Sequence, residues 1–157
     1  MQIFLPMHIC REGYTLTELL ITLSIMGIIA VLSGTWLLEH MPTLRIRGAV
    51  RQIRSDCLAA RMAAVNQGNE FRIFFRDPYR YDILDDDNNN GKPDAGEQIE
   101  SRDLRIEYGD VTLNATNDPI FHPRGTASSL ATITLTNSAG TKTLTVGITG
   151  RVKVRLS

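Results

Sequence analysis

The chain has 157 residues, of which 43% are hydrophobic and 22% are charged, and its formal net charge is zero. This length suits one small domain, and a neutral chain has no global field that points to a charged partner. The sequence has no HExxH, nucleophile-elbow, P-loop or GxGxxG motif, which argues against the enzyme classes that depend on them.

The first predicted element is an apolar helix that follows a short leader. The chain reads Gly13-Tyr14-Thr15-Leu16-Thr17-Glu18 and continues as an uncharged apolar run from Leu19 to Leu38. This run has about the 20 residues that a helix needs to cross a bilayer. A carboxylate at the start of a membrane helix is costly, so Glu18 is expected to have a function. We therefore predict a cytoplasmic leader at 1–13 and a transmembrane helix at 14–38.

Two ordinary interpretations compete with a functional one. A secretory signal peptide would have a shorter apolar stretch and a small-residue cleavage site. A plain signal anchor is the better alternative, with Glu18 near the interface, where a helix N-terminus favours an acid. Arg11 in the leader is a weak positive-inside signal, and it places the body of the chain on the extracytoplasmic side.

The helix is predicted to continue as an amphipathic segment over 39–68. Apolar residues recur at steps of three and four, which indicates one buried face: Ile46, Val50, Ile53, Cys57, Ala60 and Ala64. The rest of its surface is basic and is predicted to be solvated, with packing against neighbouring subunits as the second option: Arg45, Arg47, Arg51, Arg54 and Arg61. Pro42 predicts a kink, and Gly68 predicts the end of the helix.

The remainder, 69–157, is predicted to be a β-rich domain. Period-two patterns indicate strands at Phe71–Phe75, Tyr79–Leu84, Thr132–Thr136, Thr143–Val146 and Arg151–Leu156, and weaker ones at Leu104–Tyr108 and Val111–Leu113. Asp77-Pro78 and Asn137–Gly140 are the predicted turns of two hairpins. A helix followed by strands without alternation predicts an α+β fold, with a mainly antiparallel sheet packed on one helix.

An acidic insertion at 85–97 matches the calcium-loop pattern D-x-[DN]-x-[DN]-G-x5-E. Side-chain oxygens would come from Asp86, Asn88 and Asn90, with a backbone carbonyl from Lys92, a water-mediated contact from Asp94 and two oxygens from Glu97. A structural calcium ion is therefore predicted, although no cofactor is required. The alternative is a solvated hairpin tip, because Asp, Asn and Gly clusters also form turns without a metal.

The last strand carries a row of cations. Alternation places Arg151, Lys153 and Arg155 on one face, at a spacing of about 6.6 Å, which could follow a phosphate backbone. Binding of DNA by this row is one interpretation, and a half-buried final strand with an ordinary polar outer face is the other.

The cysteines and histidines give no candidate active site. Cys10 lies in the leader, which leaves Cys57 as a buried structural thiol on the apolar stripe of the helix. His122 follows Phe121 and precedes Pro123-Arg124, with no acid nearby in sequence, and is predicted to be a structural turn residue.

The Gly13–Glu18 motif, joined directly to a spanning stretch, resembles the type IV prepilin signature. The resemblance implies that a prepilin peptidase cuts between Gly13 and Tyr14, and that Tyr14 becomes N-methylated. Tyr14 is the one departure, since the family more often has Phe or Met there. The resemblance also implies that Glu18 pairs with the methylated amine of a neighbouring helix during filament assembly.

The rest of the chain resembles the GspH/FimT branch of the pseudopilins. The resemblance rests on Ala59–Val65 leading into Phe71–Phe75, on Phe121–Ala127, on the Thr-rich hairpin and on Thr149–Val152. It implies a minor subunit of a type II secretion pseudopilus or a type IV pilus, anchored in the inner membrane with a periplasmic domain. Its partners would be prepilin peptidase and other minor and major pseudopilins.

The FimT branch also supplies an alternative function. FimT-like pilins that take up DNA carry Gly-Arg-x-Arg near the C-terminus, and this chain has Gly150-Arg151-Val152-Lys153. Lysine keeps the charge of arginine but loses its bidentate geometry. The sequence leaves open whether the filament serves secretion, as we favour, or DNA uptake.

Overall fold

The computed structural model describes residues 13–156, which form one helix followed by nine strands. The helix, α1, spans Leu16–Gln67. The strands are β1 (Glu70–Phe75), β2 (Arg80–Asp86), β3 (Ile99–Asp103), β4 (Thr112–Ala115), β5 (Ile120–Phe121), β6 (Ala127–Ser128), β7 (Thr132–Asn137), β8 (Gly140–Val146) and β9 (Val152–Leu156). Except for Gly13, the predicted leader lies outside the described residues. The predicted α+β fold is confirmed.

The chain divides after Glu39 into two compact units. The second unit, His40–Ser157, contains every residue of the buried hydrophobic core, from Ile46 to Val152. The second half of α1 therefore belongs with the strands, because its apolar face supplies part of their core.

The first unit contains the start of α1, which is capped by its own sequence. The Oγ1 of Thr15 accepts a hydrogen bond from the backbone N–H of Glu18 at 3.3 Å, and Thr15 and Glu18 have the spacing of a capping box. No single described helix is long and apolar enough to span a membrane; the segments Leu16–Leu32 and Leu37–Gln67 meet the length and composition requirement only as a pair.

In the second unit, the buried stripe of α1 is as predicted, with Ala49 added to it. Cys57 is completely buried, and this burial raises the pKa of its thiol to about 12, with the neighbouring Asp56 carboxylate adding to the effect. The predicted burial of this thiol on the apolar stripe of α1 is therefore confirmed. Gly68 ends the helix in the left-handed region, at φ +83°, as predicted.

The structure does not place an interruption at Pro42. α1 continues through this residue, and the division between its two segments lies between Leu32 and Leu37 instead. The carbonyl oxygen of Pro42 accepts a hydrogen bond from the Asn137 side chain at 2.7 Å, so the domain holds the helix backbone at this point.

The strands form two antiparallel sheets, ordered β3-β2-β1-β5-β6 and β4-β7-β8-β9. The predicted turn between β1 and β2 is present, and Asp77 stabilises it by accepting hydrogen bonds from the backbone N–H groups of Tyr79 and Arg80. The predicted turn between β7 and β8 is also present, closed by the pair Asn137 and Gly140. Side chains from α1 and from both sheets fill one common core.

The weaker strand predictions are partly wrong. Leu104–Tyr108 is a turn, in which the Tyr108 N–H donates to the Leu104 carbonyl at 2.7 Å. Alternation failed there because Ile106 is 84% exposed and never packs into the core. The strand predicted at Val111–Leu113 is shifted to Thr112–Ala115, and β3, β5 and β6 were not predicted at all.

Candidate functional site

The processing residues stand just before the helix. Gly13 and Tyr14 precede the first residue of α1, and the Tyr14 side chain is 85% exposed. A side-chain carbon added at Gly13 would meet no described atom within 4 Å. Within residues 13–156, nothing therefore crowds the bond between Gly13 and Tyr14.

The apolar half of α1 has no apolar cover among the residues that the structure describes. Its described large apolar side chains from Leu16 to Leu38 are each between 49% and 78% exposed. Two of its hydroxyls are satisfied locally, since Thr22 and Ser24 donate to the carbonyl oxygens of Leu19 and Leu20. Such a surface needs lipid or apolar partner helices around it. Glu18, the acid of its first turn, is exposed in the isolated chain.

The acidic insertion forms the loop between β2 and β3, and its residues are drawn together. Asp86 is completely buried and accepts hydrogen bonds from the backbone N–H groups of Asn90 and Gly91. Its carboxylate also accepts a hydrogen bond from Arg72 Nε at 2.8 Å. The Asp86 carboxylate is thus already held by three donors.

The other predicted ligands bond to one another. The side-chain amides of Asn88 and Asn90 both donate to Asp94, which lowers the pKa of its carboxyl. Glu97 accepts from the Asp94 N–H through Oε2, while its buried Oε1 has no hydrogen-bond partner among the described residues. Within residues 13–156, no three His, Cys, Asp or Glu side chains are arranged to hold a metal ion.

The loop nevertheless concentrates negative charge. Burial raises the pKa of the Asp85 carboxyl, and the carboxylates of Asp87, Glu97 and Asp86 add to this increase. The Asn69 amide donates to Asp85 and Asp87, at 2.5 and 2.6 Å. The loop is therefore compact without a metal, and it still contains like charges that a cation would stabilise.

The predicted cation row lies at a sheet edge. β9 is the last strand of the four-stranded sheet, and Arg151, Lys153 and Arg155 are exposed while Val152 is buried. These three side chains line a concavity of about 400 Å³ together with Arg54 of α1. The predicted alternation of β9 is confirmed, and the fold brings it next to a helix arginine that was not assigned to this site.

Two residues join elements through polar contacts that the sequence analysis did not predict. His122 Nδ1 lies 2.8 Å from Glu70 Oε1 of β1, and its Nε2 lies 2.8 Å from Ser128 Oγ of β6. Arg61 of α1, predicted to be solvated, donates from Nε to the Gly125 carbonyl at 2.7 Å. The acid that contacts His122 is 52 positions away in sequence, so only the fold could reveal it.

Comparison with known families decides the class of protein. Residues 49–150 match the family described as Type II transport protein GspH, and residues 10–34 match the prokaryotic N-terminal methylation motif. The chain belongs to the GspH family. The resemblance inferred from the sequence is thereby confirmed.

Solved structures with the same fold are distant in sequence. The minor pseudopilin EpsH of the Vibrio cholerae type 2 secretion system aligns with a TM-score of 0.55 at 12% identity, over 69% of this chain and 94% of EpsH. The type IV minor pilin FimU of Pseudomonas aeruginosa aligns with a TM-score of 0.53 at 16% identity, over 70% of this chain and 92% of FimU. The comparison with curated proteins gives no match.

Membership of the GspH family has direct consequences. It makes the chain a pilin-like structural protein rather than a member of an enzyme family. With the methylation motif at 10–34, it implies an inner-membrane anchor and a periplasmic domain. Gly13, Tyr14 and Glu18 all fall within the matched motif.

Proposed function

We propose that this chain is a minor subunit of a type II secretion pseudopilus or type IV pilus, assembled at or near the filament tip to support protein secretion. The observation that carries the proposal is the exposed apolar half of α1, which begins with a capped Glu18 and ends where a compact domain begins. A helix of this kind suits transfer from lipid into a core of neighbouring helices.

Processing comes first in this function. Prepilin peptidase cuts between Gly13 and Tyr14, and Tyr14 is then N-methylated, which releases the helix for assembly with other minor and major pseudopilins. Glu18 then pairs with the methylated amine of a neighbouring subunit. Pairing stabilises both charges in a medium where a lone buried charge costs several kcal/mol.

The test is the N-terminal mass of the full chain, expressed with and without a prepilin peptidase. With the peptidase, we expect a mature chain that begins at Tyr14 and carries one added methyl group. A Gly13→Leu variant should retain its leader, whereas the control Gly27→Leu should be processed, and a side-chain carbon added at either glycine meets no described atom within 4 Å. An uncut wild-type chain would contradict the proposal.

Two predictions from the sequence stay predictions. Binding of DNA through Arg151, Lys153 and Arg155 is the alternative function, and the groove described below is where it is tested. Binding of calcium by the loop 86–97 is supported by its concentrated negative charge and by the unpartnered Glu97 Oε1.

A further inference from the structure

In the folded chain, some lysine and arginine side chains form ion pairs with carboxylates and others do not. Six described arginines form ion pairs, and all but Arg45 lie on or next to the five-stranded sheet: Arg45, Arg72, Arg76, Arg80, Arg102 and Arg105. The other ten described lysines and arginines form none with any residue in 13–156: Arg47, Arg51, Arg54, Arg61, Lys92, Arg124, Lys142, Arg151, Lys153 and Arg155. Seven of them are neighbours in space: Arg47, Arg51, Arg54, Lys142, Arg151, Lys153 and Arg155.

These unpaired cations surround a continuous surface, which we call the basic groove. Arg47, Arg51 and Arg54 line one concavity of about 510 Å³, together with Lys142. The concavity of about 400 Å³ along β9 adjoins it, because Arg54 and Val154 line both. No acidic side chain lines either part.

The groove has a regular construction. The three α1 arginines are separated by steps of four and three residues, which places them along one face of the helix. Arg151, just before β9, alternates with Lys153 and Arg155 of the strand, so the three side chains share a face. Apolar side chains lie among the cations: Leu44 is half exposed, Val154 is half-buried and Val50 is buried.

Solvation is the simplest explanation for a single exposed cation, but it does not explain this pattern. Clustered like charges repel one another and destabilise the isolated domain. Five arginines on or next to the five-stranded sheet are matched with carboxylates, so the chain has acids available that the groove does not use. A surface of unpaired cations around an exposed apolar side chain is typical of a binding site for an acidic partner.

We infer that the basic groove binds an acidic amphipathic segment of a neighbouring, different filament subunit, an inference that rests on the proposed function. The carboxylates of the segment pair with the cations of α1 and β9, and its apolar side chains cover Leu44 and Val154. In the assembled filament this contact fixes the rotational position of the subunit beside its neighbour.

A protein segment fits the groove better than a nucleic acid does. A phosphate backbone has no apolar side chains with which to cover Leu44, and no aromatic side chain lines the groove for base stacking. The whole chain has zero net charge, whereas nucleic-acid-binding domains are typically basic overall.

The acidic loop of a second copy is a poorer occupant than a different subunit. Asp86 is buried against Arg72, and Asp94 accepts hydrogen bonds from Asn88 and Asn90. These carboxylates are therefore committed within their own loop. A partner segment with free carboxylates is required.

The test measures binding of a fluorescent peptide to the full chain in nonionic detergent. The probe is a synthetic helical peptide with Leu along one face and Glu on both flanks, and a scrambled peptide of equal composition is its control. We expect binding that weakens with salt and that falls at least about tenfold in the triple variant Arg47→Gln, Arg51→Gln, Arg54→Gln. The matched variant Arg76→Gln, Arg80→Gln, Arg105→Gln loses the same charge outside the groove and should bind normally.

A second variant, Arg151→Gln, Lys153→Gln, Arg155→Gln, should also lose binding, so the test does not depend on correct folding of the first variant.

Equal binding of the scrambled peptide, or no binding of either peptide at low salt, would overturn the inference. Tighter binding of a DNA oligonucleotide, lost in the same variants, would overturn it in favour of DNA uptake. Self-association that depends on the same arginines would overturn it in favour of a second copy. None of these results alters the processing test, so the filament role can survive a failure here.

Discussion

Gly150 shows how much one residue constrains this domain. It adopts φ +68°, and a side-chain carbon added there would lie 2.4 Å from the Gly125 carbonyl oxygen and 2.6 Å from Arg61 Nε. Arg61 in turn donates to the Gly125 carbonyl. The turn before β9, the turn before β6 and the helix therefore meet around two glycines and one guanidinium.

At the residue scale, we predict that Gly150→Ala destabilises the domain by roughly 2–4 kcal/mol, because the left-handed backbone and the carbonyl contact both oppose a side chain. The control is Gly147→Ala in the same turn, where the nearest atom would be the Arg151 carbonyl oxygen at 3.7 Å. That change should stay within about 1 kcal/mol of zero. Denaturant unfolding measures both variants, and equal free energies of unfolding would contradict the prediction.

Residue roles were predictable from the sequence where the interacting residues are close together in the chain, and were not predictable where the partners are far apart. Thr15 and Glu18 lie within one helical turn, and Gly68 follows the last helical residue. The sequence alone therefore predicts both ends of the helix. Arg61 looked like one more solvated arginine because its acceptor, Gly125, is 64 positions away. His122 was assigned to a turn for the same reason, with Glu70 and Ser128 invisible to it.

At the element scale, the loop between β2 and β3 is the least settled feature of the domain. It is closed by hydrogen bonds within the loop and by Arg72, yet the buried Oε1 of Glu97 has no hydrogen-bond partner in the part of the chain that the structure describes. A calcium ion would replace the amide contacts to Asp94 with bonds to a cation that carries twice the charge of Arg72. The ion would then stabilise the structure of the loop and would not act as a calcium sensor.

We predict a measurable heat when calcium is titrated into the full chain in nonionic detergent, and no comparable heat with magnesium. Glu97→Gln should abolish this heat, because it removes the charge of the closing ligand. The control Glu100→Gln changes a carboxylate of β3 that pairs with Arg102, outside the loop, and should bind calcium normally. Absence of heat at millimolar calcium would leave the loop as a simple turn.

Helices and strands were predictable where the apolar residues of the periodic pattern are the residues that the fold buries. The stripe of α1 and the alternation of β7, β8 and β9 are buried as their spacing predicts, because each has one face on the core. Leu104–Tyr108 has the same alternation but only Leu104 is fully buried. The strands β5 and β6 have two residues each, too few for any period to be detected.

At the scale of the whole molecule, a neutral sequence conceals a strongly uneven surface. The carboxylates of the β2–β3 loop and five of the six ion-paired arginines lie on or next to the five-stranded sheet, whereas the cations of the basic groove lie along α1, on β8 and at the edge by β9. The functional class was predictable because its motif is contiguous at the N-terminus. The basic groove was not, because it joins residues 47–54 to residues 142–155 only after folding.

The central claim is that this chain is built into a filament through Glu18. The cap contact to Thr15 uses the backbone N–H of Glu18, so substitution of the side chain leaves that donor in place. Glu18→Gln is the sharper variant because it keeps the size of the side chain and removes only its charge. Glu18→Ala removes both size and charge, and Glu39→Gln is the control for loss of one carboxylate from the same helix.

The decisive measurement is the fraction of mature chain recovered in sheared filaments relative to the membrane. We predict that both Glu18 variants are cleaved normally and that their recovery in filaments falls at least about tenfold, while Glu39→Gln behaves as the wild type. Normal recovery of Glu18→Gln in filaments would contradict the charge-pairing role and the account built on it.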